Sequence, residues 1–326
     1  MLNNQDFATL RSQSLGGSDI GAILGLSKFR TPLQVWQEKV GQPMVKIDSL
    51  PLRFGSFAED FVAQEYSRTT GLSTVMHPGI FSHLEHPYLT GHIDRFILQD
   101  NTNLFDEAGN LNTRKLLECK TANPYAKDEW GEIGSDEVPM SYLVQCAWYM
   151  LLTGCTQADL AVLFSNADFR IYQIEQDKEL EQLLLDKAMH FWQEHVVAKI
   201  PPAPINESDC KRLYLQSKDK KSVEINQDLL SQLAELPLLN QQFSMCEDHI
   251  NQIKLAVMQQ MADAEMLTHQ GKILATWKSP KPSFRLDTKK LSEDHPELAS
   301  QYQLPVANSR RLVIKDNSIN QGASHD

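Results

Sequence analysis

The sequence contains few cysteines, and no two of them form a C-x-x-C pair. Five cysteines are scattered through 326 residues. They are Cys119, Cys146, Cys155, Cys210 and Cys246. An odd number of unclustered cysteines argues against both a disulfide framework and a zinc site. We therefore expect the protein to work in a reducing compartment.

Segments that would direct the chain to a membrane are also absent. The sequence has no run of about eighteen apolar residues, the length that a membrane-spanning helix needs. The amino terminus carries Asn3, Asn4, Gln5 and Asp6 instead of the basic start and apolar stretch of a signal peptide. These absences predict a protein that does not attach to a membrane and stays in the cytoplasm.

Positive charge is in deficit, because 31 Lys and Arg face 42 Asp and Glu and give a net charge of −11. This argues against a simple nucleic-acid binder, which needs a basic surface. A nuclease stays open, since metal ions supply positive charge at a cut site. The clearest basic segment, residues 272–290, contains Lys278 and Arg285 interleaved with Trp277 and Phe284. A DNA-binding surface and a solvated hairpin with inward-packed aromatics explain this composition equally well.

The chain also lacks the G-x-x-x-x-G-K-S/T pattern of ATP-binding loops. It does contain a glycine-rich turn, Leu15 to Asp19, before an apolar helical stretch. We expect Ser18 or Asp19 to cap that helix. A helix start of this kind attracts phosphate, although plain capping explains the same residues.

Two short strand-like segments carry the chemistry that the sequence does have. One is Gly91-His92-Ile93-Asp94-Arg95, and the other is Leu116-Leu117-Glu118-Cys119-Lys120. Because side chains alternate along a strand, Glu118 and Lys120 should share one face while Cys119 points to the other. If Asp94 comes from the neighbouring strand, its carboxylate joins Glu118 in a hard-oxygen site suited to Mg²⁺. Taken alone, Glu118 and Lys120 would be a solvated charge pair.

The surroundings of this pair favour the functional interpretation. The segment from Lys115 to Ala122 is apolar up to the charged pair, and the predicted strand ends at the turn signal Asn123-Pro124. The charges therefore stand where a buried strand ends, which is a common place for a site. His92 should share the face of Asp94 and neighbour the metal, or serve as a structural histidine.

Helical periodicity places two more polar groups near this region. Residues 54–69 read as a helix in which Glu59 adjoins the apolar face, so the side chain is either partly buried or solvated. A second helix begins at Val138-Pro139, ends at Gly154 and carries Tyr142, Gln145 and Tyr149 on one face. We expect Tyr149 to be a core aromatic with a hydrogen-bonded tip.

Strand and helix patterns alternate along most of the chain. They predict an α/β protein in which a central mixed sheet is flanked by helices. The prolines at 201, 202 and 204 suggest a boundary between residues 1–203 and 204–326. The second part should hold a helical arm or hairpin over 226–267, interrupted at Pro237, followed by a small basic α/β part for DNA binding or oligomerisation.

These residues resemble a known family. The segments GHIDR, LLECKTAN and Tyr142-Leu143-Val144-Gln145, with Gly17-Ser18-Asp19-Ile20 before them, are similar to the YqaJ-type viral recombinase group. That group, which includes the exonuclease of bacteriophage lambda, belongs to the PD-(D/E)xK nuclease superfamily. The resemblance is specific over about residues 11–155. Ile93 stands where the family pattern has proline.

The resemblance implies roles for individual residues. Metal ligands would be Asp94, Glu118 and the Cys119 backbone carbonyl, with Glu59 at the metal or its water. The catalytic lysine would be Lys120. Gln145 would lie near the scissile group, Tyr142 would contact the DNA, and Arg11 and Ser18 would hold a 5′ phosphate.

It also implies an activity. We expect a deoxyribonuclease using one or two Mg²⁺, with Mn²⁺ able to substitute, that degrades duplex DNA from 5′ ends and leaves 3′ single strands for recombination. Implied partners are duplex DNA ends, a single-strand-annealing recombinase and further copies of the chain. A structure-specific endonuclease and a non-catalytic DNA-binding accessory are the alternatives.

Overall fold

The computed structural model describes residues 11–42, 49–98, 102–302 and 310–315. The chain divides into two compact units, Met1–Leu213 and Tyr214–Asp326. The boundary predicted from the sequence lies about ten residues earlier, after residue 203. The difference arises from helix Glu207–Leu213, where Asp209 accepts a 2.8 Å hydrogen bond from Thr31 Oγ1 in the first unit.

A five-stranded mixed sheet forms the centre of the first unit. Its order is β1-β4-β5-β6-β7, with β5 and β6 parallel and the other neighbours antiparallel. The strands are β1 Ser73–Val75, β4 Arg95–Leu98, β5 Lys115–Ala122, β6 Gln157–Phe164 and β7 Asp168–Glu175. A separate small ribbon pairs β2 Phe81–Ser82 with β3 Thr90–Gly91. The predicted central mixed sheet is confirmed.

Helices cover both faces of this sheet, as predicted. In the described part of the first unit they are α1 Gly17–Ile23, α2 Pro32–Lys39, α3 Leu50–Thr70, α4 Met140–Thr153, α5 Lys178–Phe191 and α6 Glu207–Leu213. A 3₁₀ helix, Pro124–Glu129, follows β5, and a π-helical segment, Trp192–Val197, continues α5. Both α3 and α4 end at a glycine, Gly71 and Gly154, in the left-handed conformation that favours glycine.

The core lies on the two faces of the sheet. On one face α3 packs Val62, Ala63 and Tyr66 against alternate residues of the central strands, among them Leu117 and Cys119. The other face carries the larger core, in which Trp148 of α4 and the β6 side chains are fully buried. Because both faces are covered, β6 is apolar almost throughout.

One predicted strand-like segment is divided in the structure. The segment from Gly91 to Arg95 runs from the end of β3 to the start of β4, and His92, Ile93 and Asp94 lie between these strands outside regular pairing. These strands belong to two different sheets, so the chain must leave one ladder before it enters the other.

The second unit contains one long helix, α7 Gln227–Met261. Pro237 lies inside α7 and does not interrupt it, contrary to the prediction. A proline removes one backbone donor and usually kinks a helix, but it does not have to end one. The remaining described elements are the hairpin β8 Met266–His269 and β9 Lys272–Thr276, and the short helices α8 Thr288–Asp294 and α9 Pro296–Gln301. Within the described ranges, no helix is long and apolar enough to cross a membrane.

Candidate active site

Asp94 lies where β4 and β5 stop pairing. The ladder between these strands ends at the pair Arg95 and Leu117. Beyond it, Asp94 Oδ2 accepts the backbone N–H of Cys119 at 2.9 Å, in place of a backbone carbonyl. Since the N–H and C=O of one strand residue point to the same side, the Cys119 carbonyl also faces Asp94. A carboxylate and a backbone oxygen therefore converge at this point.

Glu118 is buried on the α4 face of β5, and Lys120 lies beside it as the strand alternation predicts. Its Oε1 accepts hydrogen bonds from Lys120 Nζ and, at 2.7 Å, from Gln145 Nε2. The Glu118 Oε2 atom is buried and has no hydrogen-bond partner among the residues that the structure describes. A buried carboxylate oxygen without a partner is costly, so this atom marks a place where a cation would be stabilised.

Charge at the site changes the titration of both members of the pair. Burial, together with the nearby charge of Asp94, raises the pKa of Glu118 to about 8. Burial alone would lower the pKa of Lys120, but the carboxylates of Glu118 and Asp94 outweigh it and raise that pKa above its ordinary value. Lys120 is therefore a permanent cation at neutral pH.

Helix α4 brings its three predicted polar residues to this place. The ring of Tyr142 lies under Lys120, with Nζ 5.3 Å from the ring centroid. Gln145 donates from the same amide nitrogen to Glu118 and, at 3.0 Å, to the Tyr149 hydroxyl. Tyr149 is a buried core aromatic with a hydrogen-bonded tip, as expected. Helix α4 thus holds both members of the pair, Lys120 through the ring of Tyr142 and Glu118 through the amide of Gln145.

Two glycines of the sequence motifs contact the Tyr149 ring. A Cβ atom on Gly17 would lie 2.5 Å from Tyr149 Cε1, and one on Gly91 would lie 3.0 Å from Tyr149 Cδ1. The start of α1, where Ser18 follows Gly17, is therefore held against the helix that carries Gln145. The structure brings the glycine-rich turn and the carboxylates to the same side of the sheet.

Replacing Gly17 by alanine tests this close approach. The added methyl group would collide with a buried ring that cannot move without disturbing Gln145, so we expect a loss of about 1–3 kcal/mol in the free energy of unfolding. Gly21→Ala in the same helix is the matched control, because its Cβ would meet Ser141 at an ordinary 3.5 Å. Urea denaturation of both variants measures the difference. Equal stability of the two variants would contradict the packing described here.

The cap of α1 differs from the prediction. The N-cap is Gly16, and neither Ser18 nor Asp19 occupies that position. Asp19 lies three residues later, and its carboxylate accepts the Gly16 N–H at 3.0 Å. It is buried between two cations, with Arg30 Nη1 at 2.7 Å and Lys39 Nζ at 2.8 Å. Asp19 therefore belongs to a buried ion cluster.

This cluster should make stability depend on pH. Burial would raise the pKa of Asp19, but the charges of Lys39 and Arg30 outweigh it and hold the pKa below its ordinary value. We expect Asp19→Asn to lower the free energy of unfolding by about 3–5 kcal/mol at pH 7, because the buried Lys39 then loses its nearest carboxylate. Since the folded-state pKa is depressed, the stabilisation is complete above the ordinary pKa and is lost as pH falls through the folded value.

Urea denaturation at a series of pH values checks this expectation. The difference between wild type and Asp19→Asn should be constant from neutral pH down to about 5 and should shrink in stronger acid. Glu65→Gln removes the partner of Arg68 in an exposed pair and serves as the control with little effect. A difference that grows on acidification would contradict the assignment.

The predicted phosphate contacts are placed as follows. Arg11 is half-exposed, and its Nε lies 3.6 Å from Glu38 Oε1. Its backbone carbonyl accepts a 2.6 Å hydrogen bond from Lys39 Nζ. Ser18 lies in the first turn of α1. Their role in binding a 5′ phosphate stays a prediction.

Glu59 is connected to the site by Arg95, for which no role was predicted from the sequence. Arg95 Nη1 donates to Glu59 Oε1 at 2.9 Å and also to the backbone carbonyl of Asp94, while Nη2 contacts Asp60. Burial, and then the charge of Asp94, raises the pKa of Glu59. One signal was available in the sequence: an arginine directly after Asp94, on the strand face opposite Glu118, needs carboxylate partners in a covered sheet.

The donor set next to the start of β4 fits a hard divalent cation. Asp94, the unpartnered oxygen of Glu118 and the Cys119 carbonyl offer only oxygen, which Mg²⁺ prefers. Along the described ranges, however, no three His, Cys, Asp or Glu side chains form a group that could hold a metal ion. Glu59 is held by Arg95. A metal role for Glu59 therefore stays a prediction.

The basic aromatic segment lies in the second unit. Lys278 is exposed and lies 3.7 Å from Glu265, and Arg285 is also exposed. Trp277 and Phe284 are exposed as well, so the expectation of a hairpin with inward-packed aromatics is wrong. DNA binding by Lys278 and Arg285 stays a prediction.

The first part of the chain is similar to a known family of domains. Residues 6–156 match the model of the YqaJ-like viral recombinase domain. The chain is also similar to the uncharacterized protein YqaJ of Bacillus subtilis strain 168. The two are 29% identical over 322 residues, which cover 97% of this chain and 95% of that protein.

Solved structures resemble part of the chain. An alkaline exonuclease of Laribacter hongkongensis is 15% identical, with a TM-score of 0.46, over 60% of this chain and 94% of that one. A phage-related exonuclease of Haemophilus somnus 129PT is 13% identical, with a TM-score of 0.43, over 60% of this chain and 99% of that one. At this level of identity the likeness concerns the fold alone.

Proposed function

We propose that the protein is a metal-dependent deoxyribonuclease that hydrolyses phosphodiester bonds of duplex DNA, because residues 6–156 match the model of the YqaJ-like viral recombinase domain. The observation that carries the proposal is the buried Glu118, with one unpartnered oxygen, next to Asp94 and Lys120. Two carboxylates that repel each other, one of them with a buried oxygen free to bind a cation, and a lysine held beside them are suited to this chemistry.

Different residues of the site would have different roles in hydrolysis. Asp94, Glu118 and the Cys119 carbonyl would hold one or two Mg²⁺, which when bound neutralise phosphate charge and lower the pKa of water. Lys120 is held between Glu118 and the Tyr142 ring and keeps its charge. It therefore orients the attacking water and stabilises the charge that develops on phosphorus oxygens, and it does not act as a base. Gln145 holds the Glu118 carboxylate in place.

The proposed direction of degradation rests on the resemblance to the recombinase family. By that resemblance Ser18 and Arg11 would hold a 5′ phosphate, and the start of α1, which carries Ser18, lies against Tyr149. Such an anchor favours ends with a 5′ phosphate and progress from 5′ to 3′, which leaves 3′ single strands for recombination. The proposed partners are duplex ends, a single-strand-annealing recombinase and other copies of the chain. The proposed location is the cytoplasm of a bacterium or a phage-infected host.

Digestion of two DNA substrates tests the proposal. The first is a linear duplex with a phosphate on one 5′ end, and the second is the same sequence as a closed circle. Each is incubated with Mg²⁺, Mn²⁺ or EDTA. We expect nucleotides to be lost from the phosphorylated strand alone, in the presence of a metal ion, while the circle stays intact. Nicking of the circle would favour a structure-specific endonuclease, and binding without any product would favour the non-catalytic accessory.

A further inference from the structure

Arg95 is a buried cation whose guanidinium contacts three residues near the site. Its guanidinium contacts Glu59 and Asp60 on α3 and the backbone carbonyl of Asp94 just before β4. Only 6% of its side chain is exposed, whereas Asp60 is largely exposed. The contact with Asp94 is made to its main chain, so the Asp94 side chain stays available to the Cys119 N–H. One residue thus fixes both the helix that carries Glu59 and the bend that carries Asp94.

The charges around Arg95 show why a cation is needed there. Glu59, Asp94 and Glu118 lie close enough for Asp94 to raise the pKa of each of the other two carboxyls. Lys120 compensates Glu118 on the α4 face, and Arg95 compensates Glu59 on the α3 face. Without Arg95, Glu59 would lose the guanidinium that donates to it at 2.9 Å. The repulsion between Glu59 and Asp94 would then move the two carboxylates apart.

The shape of the side chain matters as well as its charge. Two nitrogens of one planar group make three contacts here, to two side chains and one carbonyl. A lysine keeps the charge but holds its donors at one point, so it cannot span these partners in the same geometry. The fork of the guanidinium therefore sets the distance between α3 and the Asp94 bend.

We propose that Arg95 is a positioning residue that holds Glu59 and the Asp94 backbone in the geometry needed for metal binding and DNA cleavage. This inference rests on the proposed function. It assigns to Arg95 no contact with substrate. Its effect passes through Glu59 and Asp94, and it should appear in turnover and in metal affinity, with little change in the binding of DNA.

A double-mutant cycle with Arg95→Lys and Glu59→Gln tests the inference. We expect Arg95→Lys to lower kcat by about 10–100-fold and to raise the Mg²⁺ concentration for half-maximal activity, with KM for DNA ends nearly unchanged. Because Arg95 acts partly through Glu59, Arg95→Lys should cost much less in the Glu59→Gln background than in wild type. The matched control is Arg68→Lys, since Arg68 makes a two-nitrogen contact with Glu65 on the same helix in an exposed position.

A readout without catalysis separates this inference from the proposed function. Mg²⁺ should raise the thermal unfolding midpoint of the wild type, and this shift should be smaller for Arg95→Lys at equal metal concentration. If the wild type shows the shift but cleaves no DNA, the proposed function fails and the shift still tests Arg95. The inference would be overturned if the kcat losses of the two single variants multiplied fully in the double variant. It would also be overturned if Arg95→Lys had the kcat and the Mg²⁺ response of wild type. No metal-induced shift in the wild type would overturn both.

Discussion

Replacing Lys120 by alanine should reduce DNA cleavage by about 10³-fold or more, while DNA binding stays nearly intact. The side chain lies between Glu118 and the ring of Tyr142, and its pKa is raised, so it contributes a fixed positive charge. Removing it takes away the group that orients the attacking water and stabilises the transition state. Substrate affinity depends on other contacts. Cleavage is measured with Mg²⁺, and binding is measured in EDTA by titration with a labelled duplex.

Two further variants make this result specific. Lys127→Ala removes a lysine near the end of β5 that pairs with Asp168 at 2.6 Å, and cleavage should remain close to wild type. Lys120→Met keeps the length of the side chain without the charge, and we expect it to be as inactive as Lys120→Ala. An active Lys120→Ala protein would remove Lys120 from the mechanism. An active Lys120→Met protein would assign it a packing role only.

Replacing Asp94 by asparagine should have a comparably large effect on cleavage and little effect on the stability of the metal-free protein. The loss of a metal-binding carboxylate should reduce turnover by about 10³-fold and abolish the stabilisation by Mg²⁺. Without metal, the variant loses both the repulsion between Asp94 and Glu118 and the attraction between Asp94 and Lys120, so its stability should stay close to that of wild type. The asparagine oxygen can still accept the Cys119 N–H. Thermal unfolding with and without Mg²⁺ measures both effects.

Asp186→Asn is the matched control for this substitution. Asp186 also accepts one hydrogen bond at 2.9 Å, from Gln182, but lies on the exposed side of α5. It should keep both cleavage and the response to Mg²⁺. A destabilised Asp94→Asn protein would indicate that Asp94 serves mainly to brace the backbone of Cys119.

The centre of the site was predictable because it depends on strand alternation and helix periodicity. Alternation placed Glu118 and Lys120 on one face of β5, and the spacing of Tyr142, Gln145 and Tyr149 placed them on one face of α4. Both patterns are local, so the sequence determines them directly. Packing α4 on that face of the sheet then brought the two sets together.

Other parts depended on contacts between distant residues. The division of the predicted strand at His92 to Asp94 follows from the pairing of β3 and β4 in two different sheets, and Asp94 then contacts Cys119, twenty-five positions away. The burial of Asp19 follows from Lys39 and Arg30, and the role of Arg95 from α3. Local propensity carries no information about such partners. The glycine-rich turn was correctly expected to begin a helix, but the identity of the cap was wrong.

The unequal pairing of β5 has a consequence for experiments in solution. Against β6 the strand is paired over all eight of its residues, while against β4 the ladder covers only two pairs. The amide of Cys119 is therefore protected from exchange by a side chain, that of Asp94, and not by a neighbouring strand. Its hydrogen-exchange rate would report how often the Asp94 carboxylate leaves this position. The exchange rate of this one backbone amide can thus report on the position of the Asp94 side chain in a sample where no DNA is cleaved.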